Sequence, residues 1–385
     1  MTSIDGVRVL NEDEIPDLVV GVEWNQNTDD WTRINEFGDS LYVTTEDFDR
    51  HPSWRLRRCT LADNGVVNSY GSNPRGDGLA LDGTDGQVMV EIPKFYVMSR
   101  SPAANIYRWW VSPVPKTGFE LHPGFVQRGG IERDALYYGA YEAHWNAGSA
   151  KLESITGATV DNNKNISTFR ANAAARGPRW GITNIWALSA VELLYYIEYA
   201  NANSQATIGP GITGMDAGQV TGYDNADTNI GVNGTGTGVT GGAVSPAVYR
   251  GIENLWGNYW TFVDGYNAVD TEYRIIRRDG TGILQDALAI GDYEASIAVP
   301  ITGGGYISNV HYEDLLKYLF VPSALGGSTT TYLCDWLYAH DPTEVNISLS
   351  GGCWDNPTTA GIAFRSWHYV LVHAAAEMSG RLEFV

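Results

Sequence analysis

Three cysteines, seven histidines and a scatter of loop carboxylates are the side chains here suited to covalent or metal chemistry. Cys59, Cys334 and Cys353 stand far apart with no C-x-x-C pair, so neither a disulfide framework nor a zinc site follows from them. Of His51, His122, His144, His311, His340, His368 and His373, only the last two are near neighbours. They lie five positions apart in a segment without helical pattern, which suits no metal site. No G-x-S-x-G, H-E-x-x-H or glycine-rich phosphate cradle occurs. Asp270, Asp279, Asp286 and Asp292 are candidates for a Ca²⁺ site, but they lack a recognisable ligand spacing and read as solvated loop acids. The residues thus assign no catalytic centre, no metal and no cofactor.

The stretch most suited to binding runs from Gly351 to Val385. Between Gly351 and Ala376 the only formal charges are Asp355 and Arg365, yet the residues neither alternate nor form a helical stripe. Apolar and aromatic residues are mixed with Asp, Asn, Thr and Ser, which fits neither a core strand nor an ordinary lysine-rich loop. The two ends are better defined. Gly351-Gly352 before Trp354 predicts a tight turn, and Gly380-Arg381-Leu382-Glu383-Phe384-Val385 predicts a short alternating strand.

The elements that must carry this tail lie upstream. Leu18–Val22 and Ser40–Val43 are strand candidates in a β-rich first region, residues 1–85. Gln87–Val97 predicts a central strand bent at Pro93, with Arg108–Ser112 as its hairpin partner, and Tyr137–Ala143 another strand. Ser167 is placed to cap a helix over about 168–175, stopped by Arg176-Gly177-Pro178. Ser189-Ala190-Val191-Glu192 matches a capping box opening a second helix over about 189–201, with Ala190, Val191, Leu194 and Ile197 on its buried face. Residues 208–245, rich in glycine and free of Lys and Arg, predict an ordered excursion.

Several of these segments resemble one family. G-G-x-W at Gly351–Trp354, A-G-x-x-F at Ala360–Phe364 and G-R-L-x-F at Gly380–Phe384 are similar to the variable proteins of diversity-generating retroelements, which include phage receptor-binding proteins of the major tropism determinant type. RGIENLWGNYW at Arg250–Trp260 and WALSAVELLYYIEYANANSQATIG at Trp186–Gly209 carry the same resemblance, which covers residues 86–385. It implies an α+β chain with a C-type lectin fold of the formylglycine-generating-enzyme kind. That fold would have a small, mostly antiparallel sheet, two helices and long loop insertions. Residues 86–385 would form this domain, with the variable region at about 351–379. In the 250–260 segment, Trp256 and Trp260 would fill core and Arg250 would pair with Glu253.

Family members diversify the tail by miscopying adenines, so that Asn codons vary. The positions here whose residues belong to the reachable set are Asp355, Asn356, Thr358, Thr359, Ile362, Phe364, Ser366, His368, Tyr369, Val372 and His373. The resemblance implies that these form one exposed ligand-binding surface, held by buried Trp354, Trp367, Arg381, Leu382 and Phe384. Oxidases of the same fold use closely spaced cysteines, whereas Cys334 and Cys353 lie nineteen positions apart, so no enzyme is expected. A fixed-site carbohydrate lectin and an oxidase with an unrecognised site are the alternatives.

Composition suits a loop-rich fold whose core is filled by aromatic side chains: thirteen Trp, twenty-two Tyr and forty-four Gly, with a net charge of −20. That charge repels phosphate backbones and anionic lipid, which argues against nucleic acid as partner. No run of eighteen apolar residues predicts membrane insertion, and the first residues lack the pattern of a secretory signal. The expected partner is a protein or cell-surface receptor, the expected location a virion or a cell surface, and a homo-oligomer stays open.

Overall fold

The computed structural model describes residues 2–4, 7–9, 18–214, 222–226, 235–237, 245–339 and 344–385. Among them are four α-helices: α1 (Thr45–Arg50), α2 (Ile166–Ala174), α3 (Ile185–Tyr199) and α4 (Ser204–Thr207). Strand dominates, so the expected α+β class is corrected to a mainly β architecture in which α3 is the single long helix. The reason lies in α3 itself. Every residue from Ile185 to Glu198 is buried, and a helix that is apolar all round can be satisfied only between layers.

Those layers are sheets. On one side of α3 lies an antiparallel sheet ordered Glu120–Leu121, Tyr96–Ala103, Ile106–Ser112, Val20–Asn25 and Asp30–Ile34. Trp31 of this sheet stacks on Tyr196 with centroids 5.3 Å apart, and the Trp54 indole donates to Leu194 O at 3.1 Å. On the other side is a nine-stranded sheet. Its path runs Tyr293–Ala295, Glu272–Ile276, Trp260–Val269, Asn346–Gly351, Gly361–Trp367, Trp336–Ala339, Gly304–Val310 and Pro322–Leu325, with Met378–Ser379 paired beside Trp260. A third sheet seats the terminal strand Leu382–Phe384 between Ala135–Gly139 and Trp180–Ile182.

Strand pairing crosses residue 85 twice. Val20–Asn25 pairs with Ile106–Ser112, and Arg57–Leu61 pairs with Gln87–Pro93. The region before residue 85 therefore builds its sheets jointly with the region after it. The expected strand Gln87–Val97 is instead two: Gln87–Pro93 pairs with Arg57–Leu61 and Ala135–Gly139, and it is Tyr96–Ala103 that forms the hairpin with Ile106–Ser112. Of the glycine-rich excursion 208–245, much lies outside the described residues. Its described pieces are seated on the fold, since Gly236–Thr237 pairs with Ala247–Tyr249 and Asn225 is buried.

The starts of α2 and α3 both differ from the sequence expectation. Asn165, not Ser167, caps α2 by accepting from Thr168 N. Asn184 caps α3 by accepting from Trp186 N and Ala187 N, one turn before the Ser-x-x-Glu pattern. Ser189 and Glu192 sit inside the helix, facing core partners: Ser189 Oγ donates to Tyr318 O at 2.6 Å, and Glu192 pairs with Arg365. Arg250 likewise pairs with Glu198 at 2.7 Å and with Asp49 at 3.0 Å rather than with Glu253. In both cases the local pattern lost to a buried charge needing a partner across the core.

His122 makes a pH dependence legible. Its Nδ1 accepts from Gly124 N at 3.1 Å, so Nε2 carries the proton and faces Ser189 Oγ at 3.2 Å. Burial pushes this ring from 6.5 down to about 3. With the folded value depressed, its stabilising contribution is present above pH 6.5 and lost as pH falls towards 3. Lowering the pH from 6.5 to 4.5 should remove about 2–3 kcal/mol from this one group. Urea unfolding of wild type and His122→Gln at the two pH values checks it, the gap between them narrowing by that amount at pH 4.5.

Candidate binding face

The tail enters the nine-stranded sheet as its strand Gly361–Trp367. It is paired on one side antiparallel to Asn346–Gly351 and on the other parallel to Trp336–Ala339. All seven of its residues are buried. Arg365 points to α3, where its guanidinium meets Glu192, both side chains being 0% exposed. Trp367 packs against Tyr266 and Tyr273 at 5.7 and 5.0 Å and donates to Ser348 Oγ at 2.7 Å.

Phe364 lies in the cluster away from α3. Its ring contacts Trp260 at 6.1 Å and Tyr338 at 5.9 Å. From there a row of rings runs both ways. Tyr338 meets Trp336 at 5.8 Å, and Trp336 meets Tyr306 at 4.9 Å. In the other direction Trp260 meets Tyr369 at 5.7 Å, and Tyr369 stacks on His373 at 4.1 Å with His368 edge-on at 4.9 Å. Tyr306, Trp336, Tyr338, Tyr369 and His373 are half-buried, with part of each surface open to solvent. The turn 355–359 rims this row: the Tyr306 hydroxyl lies 3.2 Å from Thr358 Oγ1, and Trp336 N donates to Thr359 O at 3.1 Å.

The eleven tail positions therefore divide. Asp355, Thr358, His368 and Val372 are exposed, and Thr359, Tyr369 and His373 are half-buried beside them. Asn356, Ile362, Phe364 and Ser366 are buried, against the expectation of one exposed set. Ile362, Phe364 and Ser366 belong to a strand with neighbours on both edges and cover on both faces. Asn356 is a fastener, its Oδ1 accepting from Trp260 Nε1 and from Cys353 N at 2.9 Å each. The five positions expected to hold the surface, Trp354, Trp367, Arg381, Leu382 and Phe384, are all buried. Tyr306, Trp336 and Tyr338 escaped the sequence reading, while Trp260 is buried as expected. The available signal was the two-residue spacing of Trp336 and Tyr338, which places both on one sheet face.

The face is short of cations. Asp355 and Glu377 flank it, and burial with Glu377 nearby pushes the Tyr369 phenol up to about 12. Burial and Asp355 raise Tyr338 as well, so both phenols keep their protons and remain donors. The neighbouring thiols are held in their protonated form. Burial pushes Cys334 up to about 12, while burial and the Sγ–H bond to Asp355 Oδ1 (2.9 Å) hold Cys353 far above the ordinary thiol range. Three of the four loop acids named earlier are engaged: Asp279 by Arg277, Asp286 by Arg170 and Asp292 by Gln285. Among the described residues no cluster of three or more His, Cys, Asp or Glu is arranged for a metal. Among them, too, no helix is long and apolar enough to cross a membrane.

No family model and no curated protein matches this chain. Solved structures similar to it include variants of the Major Tropism Determinant. The U1 variant covers 98% of this chain and 73% of its own at 11% identity, with a TM-score of 0.33. The P3c variant covers 92% and 77% at 11% identity, with a TM-score of 0.32. The I1 variant covers 86% and 71% at 11% identity, with a TM-score of 0.34. An overlap this loose adds nothing to what the chain's own geometry supports.

Proposed function

We propose that this chain is a receptor-binding protein of a virion or cell surface. Its scaffold would be of C-type lectin kind, displaying the aromatic row and its tail rim to a protein partner. One observation carries the reading: a wholly buried strand, Gly361–Trp367, is bracketed by turns whose side chains are open beside half-open rings. Large rings anchored at their inner edge supply contact area at low entropic cost, and Tyr and Trp dominate binding hot spots. The diversified positions would then be Asp355, Thr358, Thr359, His368, Tyr369, Val372 and His373. Buried Asn356, Ile362, Phe364 and Ser366 would be held constant for stability.

Labelled protein incubated with a panel of cells, intact or shaved with protease, tests the reading. Binding should fall on shaving and fall about tenfold or more with Tyr369→Ala or Trp336→Ala. Binding that survives protease but is lost on glycosidase treatment would favour the lectin alternative. In the encoding DNA, a near-copy of the tail beside a reverse transcriptase gene, differing at adenines, is the independent check on diversification.

Binding rather than catalysis also makes a prediction for the thiols. Cys334→Ala and Cys353→Ala should leave binding within a few-fold. A copper-dependent oxidation of a peptide cysteine, abolished by either change, would reverse the assignment.

A further inference from the structure

Ring, cation and carboxylate recur together as a unit in this chain. Arg57 lies over the Tyr70 ring at 3.5 Å and bonds Glu91 Oε1 at 3.1 Å. Lys164 lies over Trp145 at 4.7 Å and bonds Asp161 at 2.7 Å. Lys317 lies over Tyr318 at 5.1 Å and bonds Asp314 at 2.8 Å. A cation held this way gains from the negative face of the ring and from the carboxylate at once.

The open row of Tyr306, Trp336, Tyr338, Tyr369 and His373 carries two parts of that unit. Among the described residues, no Lys or Arg of the chain lies over any of these rings. Carboxylates are at hand: Asp355 bears on the Tyr338 phenol and, with Glu377, on that of Tyr369. Asp355 Oδ1 accepts from the neutral Cys353 thiol at 2.9 Å. The strands that build the face supply no countercharge. From Gly304 to Val385 the Lys and Arg residues are Lys317, Arg365 and Arg381. Lys317 is bonded to Glu120 and Asp314, and both arginines are buried, one on Glu192 and one on backbone carbonyls.

We propose that the partner meets this face with an arginine side chain, its guanidinium laid on the open rings and facing Asp355 and Glu377. The inference deepens the receptor-binding reading and rests on it, giving the partner surface a basic character. Charge complementarity carries it, since rings and acids without a cation of their own match a basic protein surface. Arginine is favoured over lysine for two reasons. A planar guanidinium stacks on ring faces while its fork of donors meets a carboxylate, and it is less strongly hydrated than an ammonium. The net charge of −20 also draws a basic surface towards the chain before contact.

Two arms of one experiment test this. In the first, cells that bind the labelled chain are treated with phenylglyoxal, which blocks arginine, or with an acetylating reagent, which blocks lysine. Arginine blocking should lower binding about tenfold or more, with acetylation leaving it within about twofold. No loss on arginine blocking, or a larger loss on acetylation, overturns the proposal. The second arm uses the full chain and a fluorescent Gly-Arg-Gly-Arg-Gly peptide, with a citrulline counterpart of the same shape and no charge. The arginine peptide should bind about tenfold tighter by fluorescence polarisation, and Asp355→Asn with Glu377→Gln should remove most of that margin. Glu132→Gln with Asp134→Asn makes the same change of charge at sites bonded to Lys94, away from the row, and should keep the margin within about twofold. Equal losses from both pairs would show only the overall charge acting, which overturns the proposal. The peptide arm decides alone where no cell binds. Cell binding lost with Tyr369→Ala yet indifferent to arginine blocking leaves the receptor reading standing and sinks this partner. Cell binding indifferent to Tyr369→Ala and Trp336→Ala removes the reading and this inference together.

Discussion

Replacing Arg365 with Met should cost about 3–5 kcal/mol, the range for breaking a buried ion pair by removing one partner. Its guanidinium is 0% exposed, and besides Glu192 it serves the carbonyls of Ile362 and Phe364 at 3.2 and 2.9 Å. Burial raises the Glu192 carboxyl and Arg365 pulls it back down. Asp335, buried nearby and accepting from Ala363 N at 2.8 Å, is raised by burial and eased by the same guanidinium. Without it, both carboxyls sit in a pocket lacking that cation and rise further. A raised folded value gives stability that is full below the unfolded value and lost as pH climbs through the folded one. The deficit of Arg365→Met should therefore be larger at pH 8 than at pH 5. Glu192→Leu combined with Arg365→Met should recover most of it, as apolar replacement of a buried pair often does. Urea unfolding of the three proteins at both pH values measures this. A single variant within 1 kcal/mol of wild type would show that the pair is dispensable.

That pair also explains why the tail misled the sequence reading. Strand Gly361–Trp367 is covered on both faces, so it has no period-two alternation to betray it, and its one charge and one serine are satisfied inside the fold. Mixed composition thus looked like display although the residues are core. The helix start failed for a related reason: Ser189 and Glu192 match a capping box by type, but their partners, Tyr318 and Arg365, lie far along the chain. What was legible depended on local rules. The alternating terminal strand follows from a pattern within a few residues, whereas the burial of Trp354 and Trp367 was legible only through the resemblance. The ring row from Tyr306 to His373 is assembled by pairing between strands distant in sequence, which no local pattern encodes.

The division inside the tail should appear as a gap in stability. Phe364→Ala removes a 0%-exposed ring from between Trp260 and Tyr338 and should cost about 3–5 kcal/mol. That is a large share of a total net stability of about 5–15 kcal/mol. Val372, 77% exposed, together with His368, Thr358 and Asp355, has little packing to lose, and each should stay within about 0.5 kcal/mol on change to Ala. Tyr369 should fall between, because its ring is stacked on His373 but only half-buried. Denaturant unfolding of the single variants gives the order directly, with Phe364→Ala lowest, Tyr369→Ala intermediate and the four exposed changes close to wild type. Binding should not follow that order: variants at the open positions lose partner affinity with stability intact, while Phe364→Ala loses both because the row above it shifts. If the exposed four destabilise the chain as Phe364→Ala does, the turns at 355–359 and 368–373 are structural, and a surface free to vary cannot lie there.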